Sequence, residues 1–310
     1  NYLKNGIAAG IGIFITFIGF VQGGWVSDHP ETLIQLGNLK SLPAVFTLVG
    51  VLTIGILLQR EVTGAIFIGM VAASLLGIPF GLVEFSGLIS SPPDLTPTLL
   101  KMDLAAALNL GVLTIIGVFV FVDLFDTAGT LVGVGQQGGF IKNGKLPRAN
   151  RALMPDAVAT TVGAAFGTST VTCYIESSAG IAEGGRTGLA SVVTACLFLL
   201  ALFFAPLARM IGGGYVVGET TFYPVTAPVL IIVGCLMARN LVNINWRRWD
   251  EALPSYLIVV EMPLTYSIVD GMARGFISYP LIKFFCGKAR ETHWCLYLIA
   301  ILFVLRYSIS

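Results

Sequence analysis

Apolar stretches of near membrane-spanning length recur along the whole chain, and this constrains its fold more than any other feature. With soft edges they cover 6–23, 42–58, 62–83, 104–131, 152–166, 188–208, 223–238, 252–268, 269–286 and 292–308. About 20 apolar residues in a helix cross a bilayer's hydrocarbon core, because a rise of about 1.5 Å per residue must cover about 30 Å. The shorter stretches call for tilt, interrupted helices or interfacial placement. Only 11% of the 310 residues are charged and 55% are hydrophobic, whereas a soluble domain carries about 25% charged residues. Lipid is therefore the solvent for most of the surface. A net charge of +1 offers no basic field to nucleic acid. Cys173, Cys196, Cys235, Cys286 and Cys295 show no CxxC or metal spacing and read as small apolar residues. His29 and His293 fall at segment edges, so no metal site is expected.

Lys and Arg in short loops set orientation. Arg60, the 139–151 loop (Lys142, Lys145, Arg148, Arg151), the 239–251 loop (Arg239, Arg247, Arg248) and the 284–291 loop (Lys288, Arg290) are rich in bases. The 24–41 loop holds only Lys40 and the 84–103 loop only Lys101. If every span crosses, Arg60 and the 139–151 loop share one side, the cytoplasm by their bases. The chain opens on Asn1 without a basic stretch and cleavage site ahead of its first apolar run, which reads as a fragment lacking an N-terminal part.

Ionisable groups at membrane depth are costly and mark pathways or sites. Asp123 and Asp126 lie in GVFVFVDLFDTAGTLVG, Asp156 in RALMPDAVATTVG, Glu176 in GTSTVTCYIESSAG, and Glu261 and Asp270 in VVEMPLTYSIVDG. A continuous helix puts Asp123 and Asp126 on one face, with Thr127 and Thr130 beside them. Two close carboxylates resist joint ionisation, which suits a proton carrier; solvation of one at the cytoplasmic end is the plainer alternative. Asp156 is either a site residue or an acid in the first turn of its helix, complementing the dipole. An internal Asp270–Arg274 pair is the simplest account of those two residues, and Glu261 has no assigned role.

Residues Gly167–Tyr174 are poor helix formers and suit an extended strand. They sit between two apolar segments, where non-helical backbone is tolerated only if protein or a cavity covers it. A short helix-like run, IESSAGIA, follows, and a half-helix starting inside the membrane aims its free N–H groups at the cavity. Glu176 stands at that point, and its carboxylate suits hydrogen bonds from a heterocyclic N–H. A helix cap is the alternative, although Cys173 occupies the place where a capping box needs Ser or Thr. No P-loop, no GxSxG and no paired nucleophile and base are present, so neither an ATP-driven pump nor an enzyme is expected.

VDLFDTAGTLVGVGQQGG, LPRANRALMPDAVATTVGAAFGTSTVTCYIESSAGIAEGGRTGL and MPLTYSIVDGMARGFISY closely resemble the AzgA-like adenine/guanine/hypoxanthine permeases of the nucleobase:cation symporter-2 group, and the likeness runs through nearly the whole chain. The resemblance implies an all-α, polytopic membrane transporter built from two inverted seven-helix repeats, with a short strand and half-helix at a midplane site. By it, 1–84 are gate helices of the first repeat, 104–211 core helices of the second carrying the site, and 223–310 gate helices of the second with a C-terminal segment. The first-repeat core helices would be missing. Asp126 and Glu176 match the family's acidic positions that contact the base. Thr130 and Ser177 match neighbouring pocket positions, and Asp156 matches a polar position linked to function. Glu261 and Arg274 depart from the usual apolar or small residues.

The expected function is import of a purine nucleobase by proton symport across the cell membrane. Asp126, Thr130, Glu176 and Ser177 would bind substrate together with Thr170, Val171, Thr172 and Cys173. Asp123, Asp126, Asp156 and Glu176 are the proton-coupling candidates. The proton is the coupling ion, no cofactor is expected, and the partners are the base and the lipid bilayer, with a homodimer left open. An anion or ion exchanger or channel on the same architecture is the alternative. Two acids at one site favour N–H donors or cations over anions.

Overall fold

The computed structural model describes residues 2–309 apart from 86, 93, 108–115, 117–118, 121–122, 125–126, 128–129, 132–133, 136–137, 142–145, 175–176 and 183. In chain order its elements are α1 (Tyr2–Gln22), β1 (Val26–His29), β2 (Leu33–Leu36), α2 (Leu42–Gln59), α3 (Ala65–Gly77), α4 (Leu104–Ala107), α5 (Ala149–Phe166), α6 (Ser177–Ala182), α7 (Gly188–Ala201), α8 (Ala205–Gly212), β3 (Tyr215–Val217), β4 (Thr220–Phe222), α9 (Ala227–Ala238), α10 (Trp249–Thr265), α11 (Ile268–Phe285) and α12 (Trp294–Ile309). Asp123, Leu124, Thr127, Thr130 and Leu131 are also helical. The chain divides into two compact units, one of Asn1–Ile89 with Pro206–Ser310 and one of Ser90–Ala205.

Three helical runs are long and apolar enough to cross a membrane: Asn5–Gln22, Leu42–Gln59 and Gly188–Gly212. The last holds 25 residues and none of its most apolar window is buried, as a lipid-facing helix requires. The structure is mostly helical, and the loops after the first and sixth apolar stretches hold antiparallel hairpins, with Val26 opposite Leu36 and Tyr215 opposite Phe222. Gly218, at φ +63°, supplies the left-handed conformation in the second turn. The expected midplane strand is non-helical over 168–174, but pairs with no strand among the described residues.

In the first unit α1 packs between α9 and α10 through glycines. A Cβ on Gly6 would lie 2.9 Å from Ser255 Cβ, and one on Gly10 2.8 Å from Met262 Sδ. On the other face a Cβ on Gly12 would meet Met237 and one on Gly19 would meet Ile231. Gly271 and Gly275 of α11 receive Met262 and Ile258 of α10 in the same way. Between helices in lipid there is no hydrophobic drive, so close approach of backbones supplies the attraction. The α10–α11 turn is encoded locally. Tyr266, at φ +53°, ends α10, and Ser267 caps α11 by accepting the Asp270 N–H at 3.2 Å.

Ahead of the apolar part of α10, a charge network ties three segments together. Asp250 receives Arg248 at 2.8 Å, Lys283 at 3.0 Å and Lys288 at 3.2 Å. Lys283, only 3% exposed, also reaches Glu291 at 2.9 Å. The Arg248 hydrogen bonds hold the Asp250 carboxyl far below the usual carboxylate range, and Lys283 lowers Glu291. Nearer the α10–α11 turn, Arg274 Nε lies 3.4 Å from Glu261 Oε2, with its guanidinium 5.7 Å from the Tyr307 ring centre. Asp270 accepts from the Tyr307 hydroxyl. The anticipated Asp270–Arg274 pair is thus replaced by Glu261–Arg274, because packing of α10 on α11 brings Glu261 within reach.

Candidate functional site

The second unit holds a polar lattice made by three elements. The helical residues Asp123 and Thr127 form one part, α5 contributes Asp156 and Thr160, and the non-helical segment between α5 and α6 contributes Thr170 and Thr172. At one level Thr170 Oγ1 donates to Asp123 Oδ1 at 2.7 Å and lies 3.3 Å from Thr160 Oγ1. At the other, Thr127 Oγ1 donates to Asp156 Oδ1 at 3.0 Å and lies 3.0 Å from Thr172 Oγ1.

This arrangement follows from element periodicities. Asp123 and Thr127, like Asp156 and Thr160, are four apart and share a helix face about 6 Å apart. Thr127 meets Asp156, while Asp123 and Thr160 converge on Thr170, so the two helices run antiparallel. Two residues of extended chain advance about 6.6 Å with both side chains on one side, which matches the helical spacing. Thr170 and Thr172 therefore reach successive levels.

The segment starts where α5 is stopped. Gly167, at φ +79°, donates its N–H to Ala164 O, and Thr168 N–H donates to Gly163 O, both at 3.0 Å. This is a Schellman ending, which needs the left-handed conformation glycine adopts without strain. Beyond it the chain leaves the helix and joins no ladder among the described residues. Val171 instead donates its N–H to Thr160 Oγ1 at 3.1 Å, and its carbonyl accepts from the same hydroxyl at 3.0 Å.

The structure brings together Asp123, Asp156, Thr170, Val171 and Thr172 of the sequence candidates. Thr130 is helical and 8% exposed. Cys173 is half-buried, and Ser177 opens α6 with an exposed side chain, its N–H donating to Tyr174 O at 3.2 Å. Asp126 and Glu176 lie outside the described residues. Asp156 cannot be a first-turn acid, since α5 starts at Ala149 and the carboxylate stands two turns inside, 8% exposed.

A model of the xanthine/uracil permeases, described as a permease family, matches residues 3–273. The chain belongs to the xanthine/uracil permease family. It is similar to a Methanocaldococcus jannaschii protein named only as a permease, with 47% identity over 99% of this chain and 69% of that one. It is 44% identical to guanine/hypoxanthine permease PbuO of Bacillus subtilis, over the full chain and 71% of the relative. It is 40% identical to adenine permease AdeP of Escherichia coli, over 98% of this chain and 66% of the relative. As a member of a permease family with long apolar helices, the protein is an integral cell-membrane protein and not an enzyme.

Two partners in this permease's lattice escaped sequence reasoning. Thr127 was placed beside Asp123 but serves Asp156, and Thr160 was not singled out. Their i, i+4 spacing to the acids, taken with two threonines one residue apart in the following segment, was the available signal.

Proposed function

We propose that this permease imports purine nucleobases, taking adenine, guanine or hypoxanthine as substrate class and the proton as coupling ion. What carries the reading is the anchoring of a non-helical segment inside the second unit by two aspartates and their threonine partners. Helix-to-coil breaks at membrane depth mark substrate sites in secondary transporters, and relatives with 40–44% identity are named as guanine/hypoxanthine and adenine permeases. Purine N–H groups would donate to Asp126 and Glu176, with Thr130 and Ser177 beside them and residues Thr170–Cys173 lining the pocket. Charge-assisted bonds of that kind are roughly twice as strong as neutral ones.

Counting hydrogens supports Asp123 as a proton carrier. Thr160 gives its hydrogen to the Val171 carbonyl and Thr170 gives its own to Asp123. Their mutual contact, 3.3 Å long, then has no hydrogen left. A proton on Asp123 would reverse the Asp123–Thr170 bond and free the Thr170 hydrogen for Thr160, closing the chain. Asp156 and Glu176 are the other candidates. Residues 104–211 would be the moving core and 1–84 with 223–310 the gate, a reading supported by the chain's division into two compact units of similar bounds.

The test replaces Glu176 by Ala in the full gene product, expressed in cells lacking their own purine permeases. Uptake of labelled hypoxanthine is expected to be abolished at unchanged membrane abundance. Unchanged uptake would remove the site assignment.

A further inference from the structure

We propose that the β1–β2 hairpin carries a proton-operated catch: the neutral imidazole of His29 holds its turn closed, and protonation of that ring releases it. His29 pairs with Leu33 across a three-residue loop, Pro30, Glu31 and Thr32. Glu31 and Thr32 both donate their backbone N–H to His29 Nδ1, each at 3.2 Å. The ring nitrogen thus takes the place of an Asn or Asp oxygen that accepts from the backbone two residues on. A backbone N–H can only donate, so Nδ1 is the bare nitrogen and the ring hydrogen sits on Nε2. An imidazolium carries hydrogen on both nitrogens and accepts nothing. Once protonated, Nδ1 faces two donors, and its acceptor within reach is Thr32 Oγ1 at 3.1 Å.

Packing does not hold the tip. Leu33 sits at φ +67°, a left-handed conformation that strains any residue with a Cβ, and its side chain is 77% exposed. The root is firm by contrast. Trp25 stacks on Phe20 at 5.4 Å, donates from Nε1 to Ala44 O at 3.0 Å, and accepts the Gly37 N–H at 2.8 Å. Release is therefore confined to the tip. The charged groups beside the ring are Asp28 of β1 and Glu31 of the turn. The paired strand β2 brings Leu33, Ile34, Gln35 and Leu36, none of them charged, and α1, at the root, has Lys4 as its one charge, near its far end. α2 separates this hairpin from Arg60, so a crossing α2 with its basic end inside puts the catch outside. In a proton-driven importer that is the face on which the coupling ion arrives, and this last step alone rests on the proposed transport reaction.

The experiment follows amide hydrogen exchange of the full gene product in lipid nanodiscs at about pH 7.5 and about pH 5.5, either side of the value near which an imidazole ordinarily titrates. Rates are corrected for their intrinsic pH dependence. Protection of the Glu31 and Thr32 amides is expected to fall about ten-fold on acidification, the equivalent of losing two modest hydrogen bonds, while the Trp25 and Gly37 amides stay level. His29→Asn keeps an acceptor that does not titrate, and it retains Asp28 and Glu31, so its protection should be the same at both pH values. His29→Ala should be poorly protected at both. Nitrogen NMR of the parent labelled in histidine gives a second readout, with the His29 signals assigned by their loss in His29→Asn. At about pH 8 they should show a bare Nδ1 and a hydrogen on Nε2. No loss of protection in the parent, an equal loss in His29→Asn, or a hydrogen on Nδ1 at the higher pH would overturn the proposal. None of these readouts involves uptake, so failure of the purine reading would leave them unchanged.

Discussion

Thr127 and Asp156, 29 positions apart in the chain, meet through a 3.0 Å hydrogen bond, with the threonine fully buried and the aspartate 8% exposed. A carboxylate at this depth needs a donor. Removing the donor exposes the acid's full desolvation penalty, whereas removing the acid's charge alone does not. Thr127→Val is therefore expected to lower stability in detergent by about 1.5–3 kcal/mol. Asp156→Asn, whose amide oxygen still accepts from Thr127, should keep a near-parental Tm. Differential scanning fluorimetry of the two variants checks the order. Loss of uptake in Asp156→Asn despite a retained Tm would assign the charge itself to transport.

The Asp250 network predicts an acid limb in stability. Arg248 holds the Asp250 carboxyl below its ordinary value of 3.8. A depressed pKa contributes stability that is complete above the ordinary value and is lost as pH falls through the lowered one. Tm should stay level down to about pH 5 and fall below about pH 4. Asp250→Asn should start lower at neutral pH and show a shallower acid limb. An identical limb in the variant would assign the acid loss elsewhere.

Lys283 is the buried cation that joins Asp250 to Glu291. Lys283→Met leaves the carboxylate of Asp250 with its exposed partners alone, and a buried pair broken from one side costs about 3 kcal/mol or more. Reduced yield of folded protein and a lower Tm are expected, with partial recovery in Lys283→Met combined with Asp250→Asn.

The α1–α9 crossing is set by glycine. A Cβ on Gly234 would come 2.1 Å from Thr16 Oγ1 and 2.3 Å from Gly12 O, and the latter is backbone that cannot rotate away. Gly234→Ala should cost about 1–3 kcal/mol through forced separation of the helices. Gly55→Ala in α2 meets no atom within 4 Å and should be neutral or slightly stabilising. The pair of Tm values measured side by side separates packing from helix propensity.

Arg274→Ala should destabilise the α10–α11 pair, because Glu261 is then left without its cation at 3.4 Å. The double variant with Glu261→Gln should regain most of the loss, since replacing both partners removes the uncompensated charge. A double variant as unstable as the single one would mean that the Tyr307 contact, not the ion pair, matters.

The alternation of apolar stretches with short polar breaks already indicated a helical membrane protein, since spanning length leaves a clear trace in composition. The break after Gly167 was equally readable, because seven consecutive poor helix formers follow a glycine between two apolar segments. The hairpins were not, since short strands of about four residues carry no periodicity distinct from loop. Nor was the Glu261–Arg274 pair, because sequence distance favours Asp270 and only the packing of α10 against α11 decides between them. Thr160 lay in an ordinary ATTVG run, and its role depends on the position of a segment ten residues further on.

Uptake of labelled hypoxanthine, guanine and adenine by cells that lack their own purine permeases and express the full gene product tests the central claim most directly. The account predicts saturable uptake of at least one of these bases, mutually competitive among those carried and lost when a protonophore collapses the proton gradient. Absence of purine uptake while inorganic anions are exchanged would contradict it.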